Sequence, residues 1–150
     1  IITRITSDCP IIDPSIIDTV LKKIIELPHS LDYVSNIFPE RTFPQGLDTE
    51  AIRFQALEKA WNEDKNPALR EHVTQYILKN PLKFNIFNII NPVNLSFHRW
   101  TVDTPEDFSL IQNVYEHFGH NRFTWIEVLE YLEKNPSLME INKHVRQKVV

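Results

Sequence analysis

The sequence predicts a single α/β domain, three layers deep, with a mostly parallel sheet, and three observations carry that expectation. Short β-branched runs alternate along the chain with apolar residues at helical spacing, beginning with Ile1-Ile2-Thr3-Arg4-Ile5-Thr6. Capping residues followed by proline mark helix starts at Asp13-Pro14 and Thr104-Pro105. With 150 residues, 42% of them hydrophobic and 24% charged, the chain can pack one core without a disulfide or metal staple.

Ile1 to Thr6 suits a strand. Asp13 caps a helix that carries Ile16, Ile17, Val20, Leu21, Ile24 and Ile25 at helical spacing up to Pro28. Asp32 to Ile37 reads as a second strand, and Phe38 to Leu47, with two prolines and Gly46, as an irregular loop. Asp48 is expected to cap a helix with Ile52, Leu57, Ala60 and Trp61 on its apolar side. A further helix is expected from about Pro67 to Leu78, stopped by Asn80-Pro81. Lys83 to Ile90 and Phe97 to Val102 are strand candidates. Thr104-Pro105-Glu106-Asp107 opens a helix that runs to Gly119, with acids facing the positive end of its dipole. Thr124 to Glu127 repeats the capping-box spacing and opens a helix ending near Asn135-Pro136. Residues 137–150 read as a C-terminal tail of the same domain, packed or leading into a linker.

Composition excludes several function classes. The net charge of -4 gives no general attraction for polyanions, so no nucleic acid partner is expected. Cys9 is the only cysteine, which rules out an intramolecular disulfide and fits a cytoplasmic location. Every apolar run is interrupted long before about 18 residues, and Arg4 and Asp8 break what would be a leader's apolar segment, so no membrane partner is expected. Only two glycines are present, Gly46 and Gly119, and a phosphate-cradling loop needs several close together. Any nucleotide site is therefore expected to be partial, or completed by residues beyond this sequence.

In open α/β sheets ligands bind beyond the carboxyl ends of the strands, and two acids fall there. Asp8 follows the first strand and Asp103 follows Arg99-Trp100-Thr101-Val102. If the two strands are neighbours, the carboxylates share one hard cation such as Mg²⁺, which takes one or two protein carboxylates and completes its shell with water and phosphate. Otherwise each simply ends its strand on nearby N–H groups. Arg99 orients a phosphate or makes a structural salt bridge; Asp107 is read as the third-position partner of the Thr104 cap. His29, His117, His120 and His144 show no metal-ligand spacing, and Cys9 reads as a buried structural thiol.

Five blocks carry a family resemblance. They are Thr6-Ser7-Asp8-Cys9-Pro10-Ile11-Ile12-Asp13-Pro14, Asp32-Tyr33-Val34-Ser35-Asn36, Phe43-Pro44-Gln45-Gly46-Leu47-Asp48-Thr49-Glu50, Arg70-Glu71-His72-Val73-Thr74 and Arg99-Trp100-Thr101-Val102-Asp103-Thr104-Pro105-Glu106-Asp107. In this order they resemble the spore-coat polysaccharide cytidylyltransferases, relatives of the synthetases that make CMP-activated 3-deoxy-manno-octulosonate and sialic acids. The resemblance implies a nucleotide-diphospho-sugar-transferase fold and transfer of a cytidylyl group from CTP to a sugar, with Mg²⁺ shared by Asp8 and Asp103 in catalytic roles. It further implies that Arg41, Gln45, Arg70, His72 and Arg99 border the sugar and phosphate sites. Family members begin with a strand and a basic, glycine-containing loop to which nothing here corresponds.

The expectation is thus the later portion of a cytidylyltransferase domain, incomplete at its N-terminus. The alternative is a non-catalytic binding or assembly module derived from the same fold. An unpaired Ile1 to Thr6 edge leads either reading to expect a homo-oligomer.

Overall fold

The computed structural model describes residues 1–27, 29–70 and 72–146. Strands β1 (Ile2–Arg4), β2 (Tyr33–Ser35), β3 (Glu50–Ile52) and β4 (Ile86–Asn88) form a sheet in the order β1-β3-β2-β4. β3 runs antiparallel to both neighbours, setting Ile52 opposite Ile2 and Tyr33, while β2 and β4 are parallel. The helices are α1 (Pro14–Glu26), α2 (Phe54–Glu63), α3 (Gln75–Lys79), α4 (Pro105–Phe118), α5 (Trp125–Lys134) and α6 (Pro136–Met139).

Helix α1 starts where the sequence expects it. Asp13 Oδ1 accepts from the Ser15 N–H at 2.8 Å, and its Oδ2 accepts from the Trp125 N–H at 2.8 Å, so one carboxylate serves the first turns of both α1 and α5. Val20 and Ile24, at i and i+4 on α1, are fully buried with Val34 and Ala51 of the sheet. Tyr33 and Ile52 pack with Ala56 and Ala60 of α2, Ile77 of α3 and Phe84. The largest core joins Leu110, Ile111 and Val114 of α4 and Val128 and Leu132 of α5 to Ile11, Ile16, Phe43, Leu47 and Trp100. Each such full burial contributes about 1.5–3 kcal/mol for the larger side chains. Thr104 and Thr124 both make complete capping boxes, and α4 stops at Gly119 in the left-handed region, φ +67.

Several expectations are corrected. The sheet is mixed rather than mostly parallel, because Glu50-Ala51-Ile52, read above as the start of a helix capped by Asp48, inserts as a strand between β1 and β2. Glu and Ala are poor strand formers, but Glu50 is drawn inside by Arg4 and by the Tyr33 hydroxyl at 2.6 Å. Asp48 instead takes Arg41, and α2 begins after Arg53, whose guanidinium donates to the Leu31 and Ile24 carbonyls. Trp61 is exposed rather than core-facing and is covered by the Arg70 guanidinium at 4.0 Å.

The helix expected from Pro67 to Leu78 is a 3₁₀ turn, Pro67–Leu69, followed by the short α3. Residues 97–102 form no ladder strand. They share their backbone between two partners, bridging Gln45 at Arg99 and receiving Asp8 at Val102. Glu71, Pro28 and 147–150 lie outside the described residues, so position 71 of the expected helix, the stop at Pro28 and the end of the tail are not placed.

Gly46 lets two segments meet. The Gln45 N–H donates to the His98 carbonyl at 3.0 Å and the Trp100 N–H donates to the Gln45 carbonyl at 2.8 Å. At that crossing Gly46 has φ +100, and a Cβ there would stand 2.6 Å from Thr101 N and from Trp100 C. Gly119 has open space around its own missing Cβ. Gly46→Ala is therefore expected to lower unfolding stability by about 2–4 kcal/mol, against about 1 kcal/mol for Gly119→Ala, read by denaturant melts. Equal effects would remove the close crossing as a constraint on the fold.

Candidate functional site

The turn after β1 and the segment before α4 come together on backbone bonds. The Asp8 carbonyl accepts from the Val102 N–H at 2.9 Å and from the Thr101 hydroxyl at 3.1 Å. The Thr101 hydroxyl also reaches Asp8 Oδ2 at 2.8 Å. Partial burial works to raise the Asp8 pKa, but the Thr6 and Thr101 hydroxyls outweigh it and hold the carboxyl below the usual aspartate value. Asp8 lines an open pocket of about 560 Å³ with Ser7, Pro10, Val102, Phe108 and Tyr115. Within that lining Tyr115 donates its hydroxyl to the Pro10 carbonyl at 2.8 Å.

Arg99 organises the other acid. Its Nε donates to Asp107 Oδ1 at 2.9 Å and its Nη2 to Asp107 Oδ2 at 2.8 Å, a bidentate pair with Asp107 fully buried and Arg99 7% exposed. The same Nη2 reaches Asp103 Oδ2 at 2.7 Å. Asp107 Oδ2 also accepts from the Asp103 and Thr104 N–H groups, each at 3.1 Å. Asp103 itself is the exposed member, at 44%, held by one oxygen at the mouth of a buried ion pair. Burial pulls the Arg99 pKa down and the Asp107 pKa up; their mutual bonds prevail, keeping Arg99 above and Asp107 below their ordinary values.

The remaining candidates spread more widely. Arg41 forms a two-pronged pair with Asp48, one bond at 2.8 Å, while Gln45 bridges to Arg99 through its backbone and touches the Arg99 guanidinium at 3.5 Å. Gln45 and Arg99 share a second pocket of about 260 Å³ with Phe97, His98, Asn142 and Lys143. Arg70 belongs to a third, apolar pocket of about 390 Å³ between α2 and α3, where it donates to the Trp61 and Asp64 carbonyls. His72 is half-buried just before α3. Asp8, Asp103, Gln45 and Arg99 are thus gathered on the paired 8, 45 and 99–103 segments; Arg70 lines a pocket that none of those four shares.

Thr101, the pairing of Asp107 with Arg99, and Asn142 escape the sequence reading, which gives Asp107 only the capping-box role that the structure bears out. The i, i+4, i+8 spacing of Arg99, Asp103 and Asp107 was the available signal for the second of these.

Asp8 and Asp103 each accept a hydrogen bond through Oδ2, from the Thr101 hydroxyl and from the Arg99 guanidinium respectively. Among the described residues no group of three or more His, Cys, Asp or Glu side chains is disposed to hold a metal ion. Such an ion would accordingly depend on oxygens that the substrate brings. Among the described residues no helix is long and apolar enough to cross a membrane.

No family model matches the chain. It is 37% identical over 150 residues to the uncharacterized protein MJ1063 of Methanocaldococcus jannaschii, a match covering 99% of this chain and 59% of that protein. It is 26% identical over 148 residues to the spore coat polysaccharide biosynthesis protein SpsF of Bacillus subtilis, covering 91% of this chain and 56% of that one. A cytidylyltransferase from Leptospira borgpetersenii superposes with a TM-score of 0.88 at 30% identity, over 99% of this chain and 60% of the other. The chain therefore has a cytidylyltransferase-like fold and spans a little under or at three-fifths of the length of these proteins.

Removing Asp107 leaves a buried guanidinium without its main partner. Asp107→Ala is expected to lower stability by about 3–5 kcal/mol, whereas Asp103→Ala at the exposed end costs under about 1 kcal/mol. Because the folded pKa of Asp107 is depressed, its contribution is present above about pH 4 and is lost as pH falls through the folded value. The stability gap between wild type and Asp107→Asn should therefore hold from pH 6 to about pH 4 and shrink as unfolding is measured from there down to pH 2. A gap independent of pH would mean that the carboxylate charge is not what Arg99 reads.

Proposed function

We propose that the chain forms the acidic, cation-holding portion of a sugar nucleotidyltransferase that moves a cytidylyl group from CTP to a sugar in surface polysaccharide synthesis. The observation that carries the reading is the backbone bond from the Val102 N–H to the Asp8 carbonyl, which joins the Asp8 turn to the segment ending in Asp103. The likeness to a cytidylyltransferase structure and to a spore-coat polysaccharide protein supports it.

In this reading Asp8 and Asp103 hold Mg²⁺, which when bound neutralises phosphate charge. A sugar hydroxyl attacks the α-phosphorus of CTP and releases its proton to solvent, the bond to the bridging oxygen of the β-phosphate breaks, and pyrophosphate leaves. Thr101 fixes the Asp8 carboxylate, and Arg99 fixes that of Asp103. Gln45 and Arg41 border the sugar side, with Arg70 and His72 assigned to it by resemblance. Arg41 reaches an acidic sugar only by leaving Asp48. The reading places the protein in the cytoplasm, as a homo-oligomer that covers the free edge of β1, where Ile1 is 52% and Ile5 40% exposed.

With only two glycines in the chain, triphosphate binding falls to the part of the relatives that this chain does not span. Two measurements test the reading. The 150-residue chain is expected to release no pyrophosphate above a no-protein blank when given CTP, Mg²⁺ and a panel of neutral and acidic sugars. In the presence of CTP, Mn²⁺ binding followed by electron paramagnetic resonance is expected to weaken about tenfold or more in Asp8→Asn and in Asp103→Asn. Binding indifferent to both substitutions would sink the shared-cation assignment, and turnover by the chain alone would show that it holds the triphosphate itself.

A further inference from the structure

The C-terminal segment sends one side chain into the Arg99–Asp107 pair. Asn142 is 3% exposed, and its Nδ2 donates to Asp107 Oδ1 at 2.8 Å and to the Arg99 carbonyl at 2.9 Å. A primary amide has two N–H donors, and both are spent here. Asp107 Oδ1 then accepts from Asn142 and Arg99 Nε, and Oδ2 from Arg99 Nη2 and the Asp103 and Thr104 N–H groups. A carboxylate offers about four lone-pair sites, so this one is saturated.

Of those donors, Arg99, Asp103 and Thr104 lie within eight residues of Asp107, whereas Asn142 is separated from it by 35. The distant donor holds the rotation of the carboxylate from outside the local turn. Its own place is set by packing: Leu138 and Met139 lie against the main core, and the Asn142 carbonyl accepts from the Val145 N–H at 2.9 Å.

We propose that Asn142 is a positioning residue for Asp103: its amide aims the Asp107 carboxylate, which locks the Arg99 guanidinium and the Asp103 and Thr104 N–H groups that present the Asp103 carboxylate. The inference rests on the reading of Asp103 as a cation-holding residue. It adds that the C-terminal segment, which touches neither Asp8 nor Asp103 in any bond described above, sets the geometry of that site. A tail that merely packs would act through its apolar side chains, and the amide would then be replaceable by an isosteric apolar group.

The test uses the full chain with Asn142→Leu, which keeps the branching at Cγ and removes both donors, and Asn142→Ala as a smaller variant should the first not fold. Met139→Ala is the control that loosens the packing of the same segment and spares the amide. Amide hydrogen exchange followed by NMR needs no metal: loss of the Asn142 donor is expected to speed exchange of the Asp103 and Thr104 amides about tenfold, with the α1 amides unchanged. In the electron paramagnetic resonance titration, Mn²⁺ binding is expected to weaken several-fold in the Asn142 variants and to stay near wild type in Met139→Ala.

Wild-type protection of the Asp103 and Thr104 amides in a folded Asn142 variant would overturn the proposal, as would equal effects from Met139→Ala. Mn²⁺ binding by wild type that Asp8→Asn and Asp103→Asn leave unchanged would instead overturn the cation reading of Asp8 and Asp103, and the exchange result would still decide what Asn142 positions.

Discussion

The Arg99–Asp107 ion pair is the constraint on which this end of the molecule depends. Both groups are withdrawn from water, and a buried charge survives only when its partners are close and its other bonding sites are filled. That requirement recruits everything around it. The start of α4 is fixed because Asp107 is at once the third residue of the Thr104 capping box and the partner of Arg99. The segment 99–103 is drawn out of any regular ladder because its backbone must serve Gln45, Asp8 and Asn142 in succession. Asp103 is left at the rim with one oxygen tied.

The sequence displays the local features of this arrangement more clearly than the distant ones. Asp13-Pro14, Thr104-Pro105 and Thr124 act within four residues of themselves, and all three helix starts stand where their capping chemistry puts them. Asp8 and Asp103 were visible as acids following extended segments, and the structure does bring those segments together. What was not visible depends on partners remote in sequence. Glu50 reads as part of a helix until Arg4 and Tyr33 are known to meet it inside the sheet, and with β3 misread the direction of the sheet was misread too. Trp61 reads as core at helical spacing until Arg70 is seen to cover it from the solvent side. Asn142, in a segment poor in apolar residues, gave no sign of being buried.

The two arginine pairs near the candidate site differ in kind. Arg99 is enclosed and saturated, so it acts as scaffold. Arg41 and Asp48 are each roughly a quarter exposed, and their pairing is open to competition from another anion. Between them Gly46 permits the crossing that sets Gln45 against Arg99. Scaffold and exposed ion pair are thus joined by one backbone crossing.

Three bonds that hold the Asp8 turn and the start of α1 share one property. Thr101 lies 93 residues further along the chain, Tyr115, which takes the Pro10 carbonyl, 105 further, and Trp125, which takes the Asp13 carboxylate, 112 further. During synthesis this turn leaves the ribosome well before those partners and waits, its oxygens solvated, until at least 93 further residues have followed. Contacts of such separation form late because loop closure precedes any gain from them. The acidic turn therefore takes its shape only after the segments that hold it have followed, and a chain interrupted before Thr101 would carry every residue of that turn without the bonds that fix it.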